Sequence, residues 1–538
     1  MNIFLAQLEH VVDSVNGVLG HILVPVLLLA GVFLTIRLGL IQVRKLWHGI
    51  LVTSGYFDNE DSSGDVSHFQ ALSTALSATV GVGNIAGVAM AIHWGGPGAL
   101  FWMWVTAFLG MALKYSECTL ALQYRQVNDD PDALDKVSGG PMYYMRDALG
   151  SYKTAAVFAT CMMFTTLVSG SAVQANSLAH SMNDTFGWPF WVSGLLGAVF
   201  VATIILGGIQ RIGAVASVLT PVMALIYVTF ALIILGMNSE AIVPAFVRVF
   251  TEAFNPVAGV TGAGTASFFM VMQTGVRRGL YSSEGGAGSA PIAHAAAKTD
   301  EPVSEGSVAL LEPFIDTLIV CTLTGLVLVT TNVWDERFPM EIHTSSIEVS
   351  QERCLVDGGI PAVEILYNGC AVDKLYGDPE LTKPFQGVLH HQDDTTVVKD
   401  SRGEEVHSLY GKAVQVGAPL TARAYEEGLK PLVDWGGTVV TLCVGLFALS
   451  TALGASYYGD RCAAFLFGAR AVMPFRLGYC TMYFVGAISA VPLLWKVVDV
   501  AFAVATIPNV IALILLSGTL KKLTDSYFTR RPWEKSDK

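Results

Sequence analysis

Four stretches of this chain, "ILVPVLLLAGVFLTI", "FWVSGLLGAVFVATIILGGI", "VLTPVMALIYVTFALIILG" and "VVDVAFAVATIPNVIALILLSG", are nearly free of charge. Each is about as long as a bilayer's hydrocarbon core requires of a helix, roughly 20 residues. A soluble core has no use for so many. Only 14% of the 538 residues are charged, against about 25% in soluble domains. In hydrocarbon every backbone N–H and C=O must pair within the chain, which selects helices here. The expected fold class is an all-α polytopic membrane protein whose first partner is the lipid bilayer. A net charge of −12 argues against a nucleic-acid partner.

Counting apolar segments gives about eleven spans, near 19–41, 68–93, 97–123, 155–183, 188–208, 214–236, 258–284, 306–333, 437–456, 474–494 and 498–520. The Lys and Arg residues fall in alternate connections: Arg37, Arg44 and Lys45; Arg125, Lys136 and Arg146; Arg211; Arg277, Arg278 and Lys298; Arg461, Arg470 and Arg476; and the basic tail. With the N-terminus outside and the C-terminus in the cytoplasm, an odd number of spans puts all of them inside, as the positive-inside rule asks. The N-terminus lacks the basic start and cleavage pattern of a signal peptide, so it reads as retained. The expected location is a cell membrane, the bacterial inner membrane.

The polar stretch from Asp335 to Lys430 then lies outside. Its short β-branched runs, broken by Gly and Pro, suit either a small β-rich excursion or disorder. Cys354 and Cys370 both fall there, where an oxidising compartment would let them form a disulfide. The other six cysteines lie in or beside apolar segments, without metal or redox spacing, and read as packing residues.

The second span carries "SATVGVGNIAGVAM", with three glycines and an asparagine where a plain spanning helix would carry leucine. Gly81, Gly83 and Gly87 permit unwinding, while Thr79 and Asn84 offer side-chain oxygens beside freed carbonyls. Unwound backbone at membrane depth is tolerated only where it lines a cavity or meets protein. A second interruption is expected at Gln273, Thr274 and Gly275, at the head of the seventh span. Breaks heading two sets of five spans point to an inverted-repeat transporter with its site near the midplane. Half-helix N-termini suit a carboxylate, and freed carbonyls and hydroxyls suit a hard cation such as Na⁺. The competing reading is close helix packing through small residues.

Other charges are gate or coupling candidates. Lys114 and Glu117, three apart, share a helix face and allow a mutual pair. Asp316, deep in "EPFIDTLIVCTLTG", could anchor a cation, carry a proton or hold an unwound helix. Glu284, close to Arg277 and Arg278, suggests a salt-bridge cluster at a cytoplasmic gate. No spacing suits nucleophilic catalysis or a metal centre, so neither an enzyme nor an organic cofactor is expected.

"GVGNIAGVAMAIHW" followed directly by "GGPGALFWMWVTAFLG" resembles the signature of the alanine or glycine:cation symporter family. So do "GGPMYYM", "VQANSLA", "GVRRGLYSSEGGAGSAPIAHAAAKT", "FIDTLIVCTLTGLV", "LSTALGASYYGDRC" and "IPNVIAL". The resemblance covers nearly everything but the external segment. It implies uptake of a small neutral amino acid with Na⁺ or H⁺, on a LeuT-like 5+5 inverted repeat with one extra N-terminal helix. The implied layout is an N-terminal segment and extra helix (1–67), a first repeat (68–236), and a second repeat (258–334 with 437–520). An extracytoplasmic insertion (335–430) and a cytoplasmic tail (521–538) complete it.

The resemblance also implies substrate binding around Thr79, Gly81, Gly83, Asn84, Gln174, Thr274, Gly275, Thr451 and Ala455. Asn84 and Gln174 are expected on the substrate carboxylate. A sodium site is implied at the carbonyls of Ser77 and Val80 and the hydroxyls of Ser450 and Thr451. Ala455 stands where the family carries Trp, so the pocket is larger and the substrate bulkier, or another group fills the gap. Ser283, Gly285 and Ala287 depart from the family's "FSNEAGLGSAP". A ligand-binding receptor built on the external segment remains the alternative from another class, and the sequence leaves the oligomeric state open.

Overall fold

The computed structural model describes residues 2–57, 62–127, 136–255, 268–344, 347–349, 353–367, 369–392, 395–489 and 492–535. The protein is mostly helical. Among the described residues eight helices are long and apolar enough to cross a membrane: Val15–Arg37, Gly98–Gln123, Tyr152–Phe186, Gly208–Met237, Pro302–Thr331, Gly436–Phe467, Ala469–Ile488 and Val497–Leu515. A ninth span is bent: His68–Thr79 and Gly83–Gly95 meet at 54°. Phe190–Ile205 is apolar but shorter. The expected seventh span is seen as Phe268–Ser283, its start at 258–267 lying outside the described residues.

Two features were not anticipated. Ser239–Phe254 is a helix whose Ile242, Ala245, Phe246, Val249 and Ala253 form one packed stripe at helical spacing. The run read as one span over 498–520 ends at Leu515, and Ser517–Arg530 continues as a separate polar helix.

The basic connections converge on one face. Arg125 donates to the carbonyls of Ser63, Ala295, Ala297 and Thr299 at 2.6–2.9 Å, tying three of them together. Arg530 of the tail forms an ion pair with Glu301 at 2.8 Å. Arg277 and Arg278 do not belong to this face: they lie inside the Phe268–Ser283 helix rather than in a connection. They also form no cluster with Glu284, whose carboxylate accepts from the Ser289 hydroxyl.

The tail docks on this face through His48, which meets the Tyr527 hydroxyl at 3.0 Å and the Trp533 ring at 4.6 Å between centroids. Burial, helped by nearby Lys45, pulls the His48 imidazole down from 6.5 to about 4. Above pH 6.5 the ring is neutral whether docked or free. Between 6.5 and about 4 only the released histidine takes a proton, so docking weakens as pH falls through that window. Protease release of the tail is expected to rise on acidification from about pH 7.5 to about pH 5. His48→Phe, which keeps the ring contacts, is expected to abolish that dependence; an unchanged pH profile in this variant would refute the assignment.

The polar segment is folded over its described residues. One sheet has the strand order Glu405–Val406, Thr395–Asp400, Gly387–Gln392, Arg353–Asp357, Ile360–Pro361; two three-stranded sheets complete it. Ile342, Val356, Leu375, Leu389, Val398 and Leu409 build its own core, with the alternation of half-buried strands. Cys354 and Cys370 form no disulfide with each other. The expected pairing is not seen, and the two have different surroundings: Cys354 faces Leu389 in register, whereas Cys370 lies beside His93 of the membrane part. The domain leaves the membrane part on Phe338–His343 and returns on Ser408–Ala413, which pair antiparallel with Phe338 opposite Ala413. The chain then forms the helix Ala418–Leu429, which packs against the broken helix and Gly436–Phe467.

Candidate functional site

The first break begins where His68–Thr79, opened by a Ser67/Gln70 capping box, ends at Val80 in extended conformation. An unbroken helix would aim the Gly81 N–H at the Ser77 carbonyl. Here it turns to Asn84 Oδ1 at 2.9 Å. Gly83–Gly87 then forms a π-helical turn, a feature that recurs at functional sites. Two carbonyls of that turn are capped by hydroxyls from other elements: Thr324 donates to Asn84 O at 3.0 Å and Thr421 to Ile85 O at 3.1 Å. Gly83 itself is exposed, and a Cβ there would meet nothing within 4 Å, so the break opens on free space.

Asn84 is fully buried, and its Nδ2 donates to Asp316 Oδ1 at 2.6 Å and lies 3.2 Å from Ser282 Oγ. Asp316 also accepts from Ser282 Oγ at 2.7 Å and Thr317 Oγ1 at 2.6 Å. Of the roles open to Asp316, the geometry displays one: it anchors the break. Its π-helical segment Phe314–Cys321 joins the Asn84 turn to the end of the Phe268–Ser283 helix. Ser282 was not singled out in the sequence; only packing reveals it.

Gly436–Phe467 faces the break. A Cβ on Gly81 would fall 2.6 Å from Thr451 Oγ1, and one on Gly454 would fall 2.6 Å from Ser77 Oγ. Ser77, Gly81 and Thr451 are therefore brought together, with Ser450 next in the chain. The Ser450 and Thr451 hydroxyls are both buried without a hydrogen-bond partner among the described residues. Thr79 is turned back onto Ala75 O at 3.2 Å. Gln174 follows a π-helical stretch, Thr166–Val173. Its Nε2 is engaged by Ser169 O at 3.2 Å while Oε1 is buried and unpartnered, so the free atom here is an acceptor. Ala455 abuts the same stretch: a Cβ on Gly170 would lie 2.5 Å from the Ala455 methyl and 2.8 Å from the Tyr479 hydroxyl. The backbone at Gly170 thus occupies space beside this small side chain.

The second break is not where the sequence placed it. The helix runs unbroken through Thr274 and Gly275. Gly275 serves close packing instead, since a Cβ there would lie 2.3 Å from Ala99 O. The chain breaks after Ser283, at Glu284 (φ 49°), Gly286 (φ 91°) and Gly288 (φ 82°), before the short helix Ala290–His294. This is the stretch that departs from the family pattern. Asn509 holds it, donating to Gly286 O at 2.9 Å and to Glu117 Oε1 at 2.5 Å.

Lys114 does not pair with Glu117 as expected. Its Nζ meets Glu312 Oε1 at 2.8 Å, both side chains fully buried. Glu312 lies 3.7 Å from His294 Nε2. His294 Nδ1 meets Glu305 Oε1 at 2.6 Å, and the other oxygen of Glu305 contacts His68 Nδ1. This buried relay ties the start of the broken helix to the element following the second break. The available signal was the recurrence of Glu305, Glu312 and Asp316 at seven- and four-residue intervals on one helix face.

Residues 5–355 and 398–538 match the sodium:alanine symporter family, leaving out part of the β-rich domain. The chain is 37% identical over 522 residues to the sodium/alanine symporter AgcS of Methanococcus maripaludis, covering 96% of each. It is 37% identical to an uncharacterized transporter of Haemophilus influenzae, over 94% of this chain and 93% of that one. A Bacillus subtilis relative described as a probable sodium/glutamine symporter, GlnT, is 28% identical over 95% of this chain and 88% of its own. With its broken membrane helix and this agreement over almost its whole length, the chain belongs to the sodium:alanine symporter family.

Proposed function

We propose that the protein is a symporter that imports a small neutral amino acid with Na⁺ by alternating access. The observation that carries this reading is the pair of orphaned hydroxyls, Ser450 Oγ and Thr451 Oγ1, opposite a helix end whose ladder bond to Ser77 has been redirected to Asn84. Oxygen donors alone, with no nitrogen or sulfur, suit a hard monovalent cation. Ser77 and Val80 would supply carbonyls to it. The amino acid would lie beside Gly83, whose exposed backbone opens the π-helical turn and favours a carboxylate, with Thr451 between the two ligands. Gln174 Oε1, an acceptor, suits the ammonium end better than the carboxylate first assigned to it. Since Gly170 closes on Ala455, the pocket is not enlarged there, which favours an alanine-sized substrate.

The same reading includes eleven spans arranged 5+5 behind an extra N-terminal helix, with the N-terminus outside. It is supported by two breaks, each at the head of one set, and by the basic connections gathered on one face.

The test is uptake of radiolabelled neutral amino acids into proteoliposomes, with and without an imposed Na⁺ gradient. Accumulation of alanine or a near relative that needs the gradient is expected; accumulation of none would overturn the proposal. One observation favours a second reading, H⁺ coupling: Asp316 is a buried carboxylate with donors around it but no cationic partner among the described residues. Uptake that ignores Na⁺ and follows a pH gradient would select it. Removing 338–413 with a short linker, keeping Ala418–Leu429, is expected to leave uptake intact, whereas a receptor would lose solute binding.

A further inference from the structure

Arg277 and Arg278 are not accounted for by transport chemistry. They line a cavity of about 190 Å³ between the N-terminal helix, the Phe268–Ser283 helix and the last membrane helix. The fold makes room for them: a Cβ on Gly20 would fall 1.9 Å from the Arg277 guanidinium. Arg277 Nε is buried with no hydrogen-bond partner among the described residues. Asp499 is the acid on this cavity, and its carboxylate is engaged by Asn16 and Tyr281 as well as attracted by Arg278. Two arginines against one aspartate leave a net charge of +1 (2 − 1) in the lining.

Uncompensated charge at membrane depth is costly and is found paired. Guanidinium forks match the two oxygens of an oxyanion, which a compact ammonium does less well. From the cavity, its unmatched charge and the orphaned Nε, we propose that Arg277 and Arg278 form an oxyanion site for a phosphate-type group. The walls favour a phospholipid headgroup as its source. One wall is Val15–Arg37, whose apolar window is only 33% buried and so faces lipid. Another is Trp94, a residue type favoured at the membrane interface. Free inorganic phosphate carries the same chemistry from solution.

The experiment counts phospholipid retained by the purified full-length protein after detergent washing, by native mass spectrometry. In parallel it measures thermal shifts with added phosphatidylglycerol or with sodium phosphate at matched ionic strength. Wild type is expected to hold one lipid, Arg277→Gln and Arg278→Gln to lose retention about tenfold or more, and Asp499→Asn to raise it. Stabilisation by inorganic phosphate but not by lipid, lost in Arg278→Gln, would place the same site's ligand in solution. The proposal fails if wild type responds to neither, or if both arginine variants match it. Should those variants not fold, Asp499→Asn still decides, because unchanged or weaker retention there contradicts a charge-driven site.

Discussion

Asn84→Ala abolishes uptake, to about 100-fold below wild type or less, while the protein still reaches the membrane. The amide stands between two groups that cannot be left alone: the Gly81 N–H that it accepts and the buried Asp316 carboxylate to which it donates. Leaving a buried donor or acceptor without its partner costs about 1–3 kcal/mol each, more where the group is charged, and Asn84→Ala does this to both. About 3 kcal/mol corresponds to more than 100-fold in an equilibrium constant, at about 1.4 kcal/mol per decade. That loss falls on the geometry of the break rather than on the bulk of the fold. Initial uptake rates normalised to surface protein are the measurement. Near-normal transport would remove Asn84 from the site. Gln174→Ala, which deletes an acceptor, is expected to raise KM with a smaller effect on the maximal rate.

The second large effect is on stability. Lys114→Met strands the fully buried Glu312 carboxylate, which keeps the His294 ring at 3.7 Å but faces the like charges of Glu117, Glu284 and Asp316. The expected cost is about 3–5 kcal/mol, read as a fall in the apparent Tm of detergent-solubilised protein. Lys114→Met combined with Glu312→Gln is expected to recover most of it, because the charge that needed a partner is gone. A double variant as unstable as the single one would show that packing around Lys114, and not the ion pair, carries the effect.

Much of this was legible in the sequence, for a physical reason. A bilayer demands long apolar runs, and "GVGNIAG" conflicts so openly with that demand that the break at Gly81–Asn84 could be placed. The turns and β-branched runs of the polar segment left a β-rich unit and disorder equally open, because neither local pattern shows whether the strands find partners. What escaped depended on contacts between distant parts of the chain. Thr274 and Gly275 have the composition of a break, yet a glycine that admits the Ala99 carbonyl looks the same in sequence as one that unwinds a helix. The real break, "SSEGGAGS", was noticed only as a departure from the family pattern. Local spacing gave Lys114 to Glu117, but packing gave it to Glu312, 198 residues away. Ser239–Phe254 was missed because Glu240, Arg248 and Glu252 dilute its apolar stripe below what a search for membrane spans registers.

The pairing of Phe338 with Ala413 has a practical meaning. Facing residues in an antiparallel pair are about 5 Å apart, so the β-rich domain is joined to the membrane part by a two-stranded stalk with adjacent ends. Such a junction is a natural socket. A fluorescent protein or an epitope scaffold with neighbouring termini, spliced in place of the domain, would be tethered a few residues from the helix Ala418–Leu429 that packs against the broken segment and would report its movement.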